Sequence, residues 1–188
     1  MISAAEVLVV CTANVCRSPM AAALLTQRLS ELGLSATVRS AGMLAGGAPP
    51  PPEVITAMVG YGLDVSSHRS QPMTPENLQD ADLILAMARE NLRHAVVTAP
   101  QTWPRAFTLR ELVRRGQAIG PRSPGESLDA WLARAHERRE RAALLGDGPG
   151  DDVTDPIGGP PHAYAETAAI LDGLIDRLVG LCWLDSVT

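Results

Sequence analysis

A chain of 188 residues, 46% apolar and 20% charged, is long enough to bury one core, and its composition excludes an intrinsically disordered protein. A formal net charge of −5, with the 16 basic residues all arginine and largely dispersed, sets nucleic acid aside as a partner. The N-terminus lacks the basic lead and long apolar core of a signal peptide, no apolar run reaches membrane-spanning length, and three cysteines with four histidines make neither a disulfide framework nor a zinc site, so a cytoplasmic protein with no membrane contact, metal or cofactor is expected.

Val7-Leu8-Val9-Val10 is a β-branched run without alternation, which suits a parallel strand buried on both faces. The loop Cys11 to Ser18 follows at once. Pro19 then stands where a first helical residue tolerates a missing N–H, and Met20, Leu24, Leu25, Leu29 and Leu32 recur at helical spacing up to Gly33. A second strand is expected at Thr37 to Ala41, followed by Pro49 to Pro52, a helix from Glu53 to Tyr61 and a stop at Gly62. A third strand is expected at Leu83 to Met87, a helix over Arg89 to Val97, and a weaker fourth strand at Arg105 to Leu109. Ala163 to Leu184 closes the chain as an amphipathic helix with Leu171, Leu174, Ile175, Leu178 and Cys182 on one stripe.

Strands alternating with helices predict a three-layer α/β fold, a four-stranded parallel sheet with helices on both faces, in a single domain spanning residues 1–188. Gly116 to Gly150 is less regular, bounded by Gly and Pro around an arginine-rich helix centred on Trp131 to Leu145, and reads as an insertion. Its run Arg134, Arg138, Arg139, Arg141 reads as a solvated helix face with nearby glutamates, and secondarily as a docking patch.

Between the first strand and its helix lies Cys11-Thr12-Ala13-Asn14-Val15-Cys16-Arg17-Ser18. Five residues between Cys and Arg let a loop curl with successive backbone N–H groups turned inward, and the helix start adds its own free N–H groups and dipole. A tetrahedral oxyanion fits such a cradle. Cys11 stands at its bottom, where positive potential favours the nucleophilic thiolate. Arg17 offers a planar fork for two phosphoryl oxygens, and Ser18 can donate a hydrogen bond to the sulfur. The alternative is a buried apolar Cys11 and a solvated Arg17; the joint placement between a buried strand and a helix start favours the oxyanion site.

Such chemistry also requires a carboxylic acid, to protonate a leaving oxygen and afterwards to activate water. Asp151, Asp152 and Asp155 crowd one downstream segment, and spacing does not choose among them. Cys16 has two readings, a partner for a reversible disulfide with Cys11 or a small residue filling the loop. Cys182 reads as a core residue.

The segment Val7 to Leu25, VLVVCTANVCRSPMAAALL, resembles the N-terminal signature of the low-molecular-weight protein tyrosine phosphatases. Ser40-Ala41-Gly42, Gly62-Leu63-Asp64 with Ser67-His68-Arg69-Ser70, Asp82 to Asn91 (DLILAMAREN) and Asp155-Pro156 resemble later segments of that family in order, so that residues 5 to 112 and 151 to 180 are covered. The resemblance implies a flavodoxin-like strand order. It also implies a metal-free phosphomonoesterase with a phosphocysteine intermediate, most simply a protein-tyrosine phosphatase acting on a phosphorylated protein or a small aryl phosphate. Position by position it makes Cys11 the nucleophile, Arg17 the phosphate clamp and Asp155 the general acid. Thr12, Ala13, Asn14, Val15, Cys16, Arg17 and Ser18 would form the phosphate-binding loop, with Asn14, Ser18, Ser40 and His68 in its supporting network.

Departures from the family pattern qualify this. Ala13 stands where the family usually has glycine, so a positive φ there would be strained. The aromatic residues that the family commonly places after Asp-Pro and after Ser-Ala-Gly are missing from Ile157-Gly158-Gly159 and from Met43 to Pro52, and Tyr164, the nearest, is expected to pack on the last helix. Val15 is expected to face the mouth of the cradle, where an apolar residue suits a phenyl ring; a phosphoarginine phosphatase of this family would be expected to carry threonine there. Arsenate reduction by a related loop passes oxidation to two further cysteines, and none lies between Cys16 and Cys182. A catalytically weak phosphate-binding module is the remaining alternative, and the intact Cys11, Arg17 and Asp155 stand against it.

Overall fold

The computed structural model describes residues 5–34, 36–146 and 149–183. Strands β1 (Ala5–Cys11), β2 (Ala36–Gly42), β3 (Leu83–Ala86) and β4 (Ala106–Thr108) form one parallel sheet in the order β2-β1-β3-β4. This is the flavodoxin-like order, whose switch point lies between β1 and β3 at the carboxyl ends of the strands. Around it stand α1 (Arg17–Glu31), α2 (Pro52–Val59), α3 (Pro75–Asp80), α4 (Arg89–Thr98), α5 (Leu109–Ile119), α6 (Leu128–His136) and α7 (Pro161–Cys182). No helix among the described residues is long and apolar enough to cross a membrane.

The near-continuous apolar runs of β1 and β3 follow from burial on both faces. Val7, Val9, Leu83, Leu85 and Phe107 point into one core with α1, α2, α5 and α7, while Leu8, Val10, Ile84, Ala86 and Ala106 point into the other with α3 and α4. Each large side chain so buried contributes about 1.5–3 kcal/mol. The α1 helix starts two residues before Pro19, which therefore sits in the first turn, where its missing N–H still costs no intrahelical bond. Leu184, expected to end the last helix, lies outside the described residues.

The larger differences fall after β4. The α5 helix runs straight out of the strand because Thr108 caps it, its hydroxyl accepting the Glu111 N–H at 3.1 Å. Gly116, expected to open an insertion, is thus inside α5, and a β-carbon there would stand 2.9 Å from both Trp131 and Leu181. That close approach lets α5 pack against α6 and α7. Trp131, Leu132 and Ala135 of α6 are buried in the first core, and Leu144, in a 3₁₀ turn at Arg141–Leu145, in the second.

The arginine-rich run is not one helix face. The α6 helix stops at His136, the backbone turns at Arg138 with φ 58°, and Arg139 folds back into the protein with its side chain 3% exposed. Its guanidinium lies between Trp103 and Phe107, 3.8 and 4.0 Å from the ring centroids, and donates to both carboxylate oxygens of Glu111 at 2.8 and 3.0 Å. Carbonyls of Trp103 and Ala106 take further N–H groups at 3.1 and 2.9 Å. A flat, weakly hydrated cation tolerates this burial when its donors are satisfied and its faces are covered by rings. His136 accepts from Arg139 at Nδ1 (3.0 Å), and burial together with the Arg139 charge holds it below the ordinary histidine range, in its neutral form.

Arg139→Ala should therefore lower stability by about 3 kcal/mol, since it strands Glu111 without its partner. Chemical denaturation reads this directly. A change within about 0.5 kcal/mol, the usual range for a solvated surface charge, would restore the solvated-face reading.

Candidate active site

Cys11 is the last residue of β1 and Arg17 the first of α1, so the 11–18 loop sits at the carboxyl edge of the sheet, beside the switch point. The buried Cys11 sulfur lies 3.0 Å from Ser18 Oγ and receives the backbone N–H of Asn14 at 3.2 Å. Ser18 Oγ already accepts from Asn14 Nδ2 at 2.8 Å, which leaves its own hydrogen to point at the sulfur.

Asn14 shapes the loop. Positive φ at a non-glycine residue occurs, among the described residues, at Asn14 (54°) and Arg138, so Ala13 is spared the positive φ that would strain it. The fully buried Asn14 side chain uses both amide hydrogens, on Ser18 and on Ser40 Oγ at 2.8 Å, and its Oδ1 accepts the Gln71 N–H at 2.8 Å. His68 Nε2 donates to the Asn14 carbonyl at 2.7 Å. The sequence-derived support residues Asn14, Ser18, Ser40 and His68 are thus brought together. A groove of about 670 Å³ beside β2 meets this network at Ser40, His68 and Gln71, and Cys11 is not part of its lining. Gly42, at the end of β2, presses against the same loop: a β-carbon there would lie 2.8 Å from Asn14 N and 2.9 Å from Thr12 O.

Arg17 is 5% exposed and spans the site. Nη1 donates to the Val153 carbonyl at 3.2 Å, and Nη2 to Asp155 Oδ2 at 2.5 Å and Thr12 Oγ1 at 3.4 Å. The three crowded aspartates separate by geometry. Asp151 pairs with Arg114 and Arg89, Asp152 accepts the Arg89 backbone N–H, and Asp155 stands at the loop with its side chain 39% exposed.

Cys16 is buried, and burial, joined by the charges of Asp155 and Cys11 against the opposing Arg17, pushes its thiol up to about 12. It stays protonated at neutral pH. Cys182 lies in the core of α7. Val15 is buried yet belongs to neither core. Tyr164 packs in the first core and its hydroxyl accepts the Gly158 N–H at 3.3 Å, so it forms no part of a rim. Leu44 and Ile157, aliphatic and exposed, hold the positions after Gly42 and Asp155 instead.

Two contributors were missed in the sequence. Thr12 offers its hydroxyl to Arg17 and also to Asn91 Nδ2, at 3.2 Å, and Asn91 is fully buried on the stripe of α4 that carries Leu92, Ala95 and Val96. A lone amide on a buried helical stripe was the available sign. Val153 contributes only its carbonyl, which no side-chain pattern announces.

Comparison with known proteins agrees with this geometry. Residues 6–120 match the family model of the low molecular weight phosphotyrosine protein phosphatases. The chain is 40% identical over 106 residues, 56% of its own length and 71% of the relative's, to the probable low molecular weight protein-tyrosine-phosphatase EpsP of Ralstonia solanacearum. It is 33% identical over 138 residues, 72% of its length and 90% of the relative's, to a protein-arginine-phosphatase of Bacillus subtilis. The crystal structure of a low molecular weight protein tyrosine phosphatase from T. tengcongensis superposes with a TM-score of 0.72 at 34% identity, covering 94% of this chain and 99% of that one.

Two measurements test the site as built. Asn14→Ala removes three side-chain bonds that hold the loop, to the buried Ser18, to the half-buried Ser40 and to the Gln71 N–H. Leaving the buried partner unsatisfied alone costs about 1–3 kcal/mol, so titration calorimetry should show inorganic phosphate binding weakened by about tenfold or more. Unchanged affinity would mean that the loop holds its shape without the amide. In folded Cys11→Ser protein, iodoacetamide should leave Cys16 unmodified from about pH 7 to 9, because a thiol titrating near 12 supplies almost no thiolate there. Labelling that rises around pH 8.5, as for an ordinary cysteine, would contradict its burial.

Proposed function

Because this chain belongs to the low molecular weight phosphotyrosine protein phosphatase family, we propose that it hydrolyses phosphate monoesters on protein side chains, phosphotyrosine foremost, through a phosphocysteine on Cys11. The observation that carries the reading is the meeting of Arg17 and Asp155 at 2.5 Å over a loop whose cysteine sulfur is 3.0 Å from Ser18 Oγ. Nucleophile, clamp and acid then share one small volume.

The Cys11 thiolate attacks phosphorus, so that an S–P bond forms as the bond to the leaving oxygen breaks, and Asp155 in its acid form gives that oxygen a proton. Water next attacks phosphorus, Asp155 takes a proton from it, the S–P bond breaks and inorganic phosphate leaves. The Arg17 fork and the backbone N–H groups of Thr12 to Arg17 stabilise the charge on the non-bridging oxygens, and the Ser18 hydroxyl stabilises the departing thiolate. With Asp151 and Asp152 bonded to arginines elsewhere, Asp155 is the carboxyl available for the proton transfers. Residues 1–188 act as one phosphatase domain, and the 116–150 segment, whose first residues complete α5, is an addition built onto it.

Substrate choice follows from the rim. Val15, buried in the loop, and the exposed Leu44 and Ile157, two residues after Gly42 and Asp155, are all aliphatic, which suits a phenyl ring without an aromatic partner to stack on it. Phosphotyrosine peptides therefore bind weakly, lacking the roughly 0.5–1.5 kcal/mol of ring stacking, yet are preferred to phosphoserine, whose short side chain does not reach the floor of the cradle. A second reading, phosphoarginine hydrolysis, draws on the Bacillus subtilis relative of that name. Valine lacks the hydroxyl that would meet a guanidinium or orient water, and losing a needed polar contact discriminates sharply.

Steady-state turnover of phosphotyrosine, phosphoarginine and phosphoserine peptides in competition tests this. Tyrosine should lead, and Val15→Thr should shift the balance toward arginine; a preference for phosphoarginine in the unaltered protein would overturn the substrate assignment. Cys11→Ser should abolish turnover while phosphate binding persists, Arg17→Lys should be severely impaired, and Asp155→Ala should lose about 10²- to 10⁴-fold. A greater loss from Asp152→Ala than from Asp155→Ala would reassign the acid.

A further inference from the structure

The segment leading to Asp155 is fastened at three consecutive residues. Asp151, its side chain 12% exposed, lies between two helices: Arg114 Nη2 of α5 donates to Oδ1 at 2.9 Å, and Arg89 Nε of α4 stands 3.5 Å from Oδ2. Asp152 Oδ1 accepts the Arg89 backbone N–H at 2.7 Å. Val153 donates its N–H to the Met87 carbonyl at 2.8 Å and offers its own carbonyl to Arg17. Thr154 is then exposed, and Asp155 follows. The Arg89 guanidinium also donates to the carbonyls of Ala143 and Gly146, at 2.9 and 3.2 Å, so the turn before this segment is tied to the same side chain.

Residues 152–160 carry no helix or strand and include Pro156, Gly158, Gly159 and Pro160. Within this stretch Asp155 Oδ1 accepts the Ile157 N–H at 3.2 Å and the Gly159 N–H donates to the Pro156 carbonyl at 2.9 Å. This local turn orients the carboxyl on its own segment but leaves the placement of that segment to what fastens its start, and proton transfer needs hydrogen-bond reach to the leaving oxygen in the reacting complex. An isolated exposed ion pair would contribute little to that. A carboxylate sheltered between two guanidiniums, one of which also fastens the preceding turn, forms a network with more to lose.

We infer that Asp151, clamped by Arg89 and Arg114, is a positioning residue that aims Asp155 at the 11–18 loop. This rests on the proposed role of Asp155 as the acid. Asp151 itself lies outside the reaction: it neither gives nor takes a proton, and its carboxylate serves only to fix the start of the acid-bearing segment.

The test uses aryl phosphates with leaving groups of increasing basicity, because a misaimed acid matters most where the leaving oxygen most needs a proton. Asp151→Asn should keep kcat/KM, which reports only the step that releases the leaving group, within about twofold on the most acidic phenol and lower it about tenfold on the most basic, while inhibition by inorganic phosphate stays unchanged. Arg114→Ala, made at the 62% exposed half of the clamp where folding is least at risk, should steepen the leaving-group dependence in the same direction. Combining Asp151→Asn with Asp155→Ala should cost no more than Asp155→Ala alone, since the clamp acts only through that acid. A loss in kcat/KM equal on all leaving groups, no loss, or an additive loss in the double variant would overturn the inference. Should Asp155→Ala itself show no leaving-group dependence, the acid assignment fails; should it show one while Asp151→Asn and Arg114→Ala do not, only the clamp fails.

Discussion

Asn14 carries a φ of 54°, a conformation that costs a residue with a side chain roughly 1–2 kcal/mol, and it is kept there by three side-chain bonds to Ser18, Ser40 and the Gln71 N–H. Those partners lie on α1, on β2 and in the segment after His68. One amide therefore ties together the three pieces of chain around the loop. The turn it enforces sends the Asn14 N–H toward the Cys11 sulfur and the Asn14 carbonyl outward to His68. The rest of the site takes its orientation from that reversal, since Ser18 points at the sulfur with a free hydrogen only because the amide already occupies its oxygen.

Arg17 shows how the fold divides labour among like residues. A guanidinium this buried needs acceptors, and its two terminal nitrogens find the Val153 carbonyl, Thr12 and Asp155, while its buried Nε meets none among the described residues. The neighbouring aspartates meet different donors, the Arg89 and Arg114 guanidiniums for Asp151 and the Arg89 backbone N–H for Asp152, because the segment crosses α5, α4 and the loop in turn. Chemically identical carboxyls thus acquire different environments from where the chain passes, and the most exposed of the three is the one suited to exchange protons.

How far this was legible in the sequence varied with how local the cause was. The apolar run of β1, the Cys-to-Arg spacing and the helical repeat of α1 are short-range patterns, and they located the sheet, the loop and the helix behind it to within a residue or two. Ser40 and His68 came only through the family resemblance, since nothing nearby in sequence says that they meet Asn14 across 26 and 54 residues. The α5 helix has a local sign in the capping pair Thr108 and Glu111, although no helix was expected directly after the fourth strand. Arg139 had none: whether an arginine near glutamates is solvated or stacked between Trp103 and Phe107 depends on two rings more than thirty residues away. At Ala13, where a positive φ would be strained, the backbone is not left-handed; the positive φ falls on Asn14, so the alanine is accommodated.

The contact between Gly42 and the loop bears on recognition. With the backbone of β2 so close to Thr12 and Asn14 that not even a methyl group fits, the cradle is continuous with the sheet and takes on its rigidity. A rigid receptor has little disorder to surrender when an anion arrives, so affinity for the bare tetrahedral group is set by preorganised dipoles and is nearly blind to what the group is attached to. Discrimination among phosphorylated side chains must then be supplied by the loops above, around Leu44 and Ile157, which can change sequence without disturbing the chemistry beneath. A hard floor under an exchangeable rim is a division that would let one scaffold diverge toward different phosphoamino acids by a handful of surface substitutions.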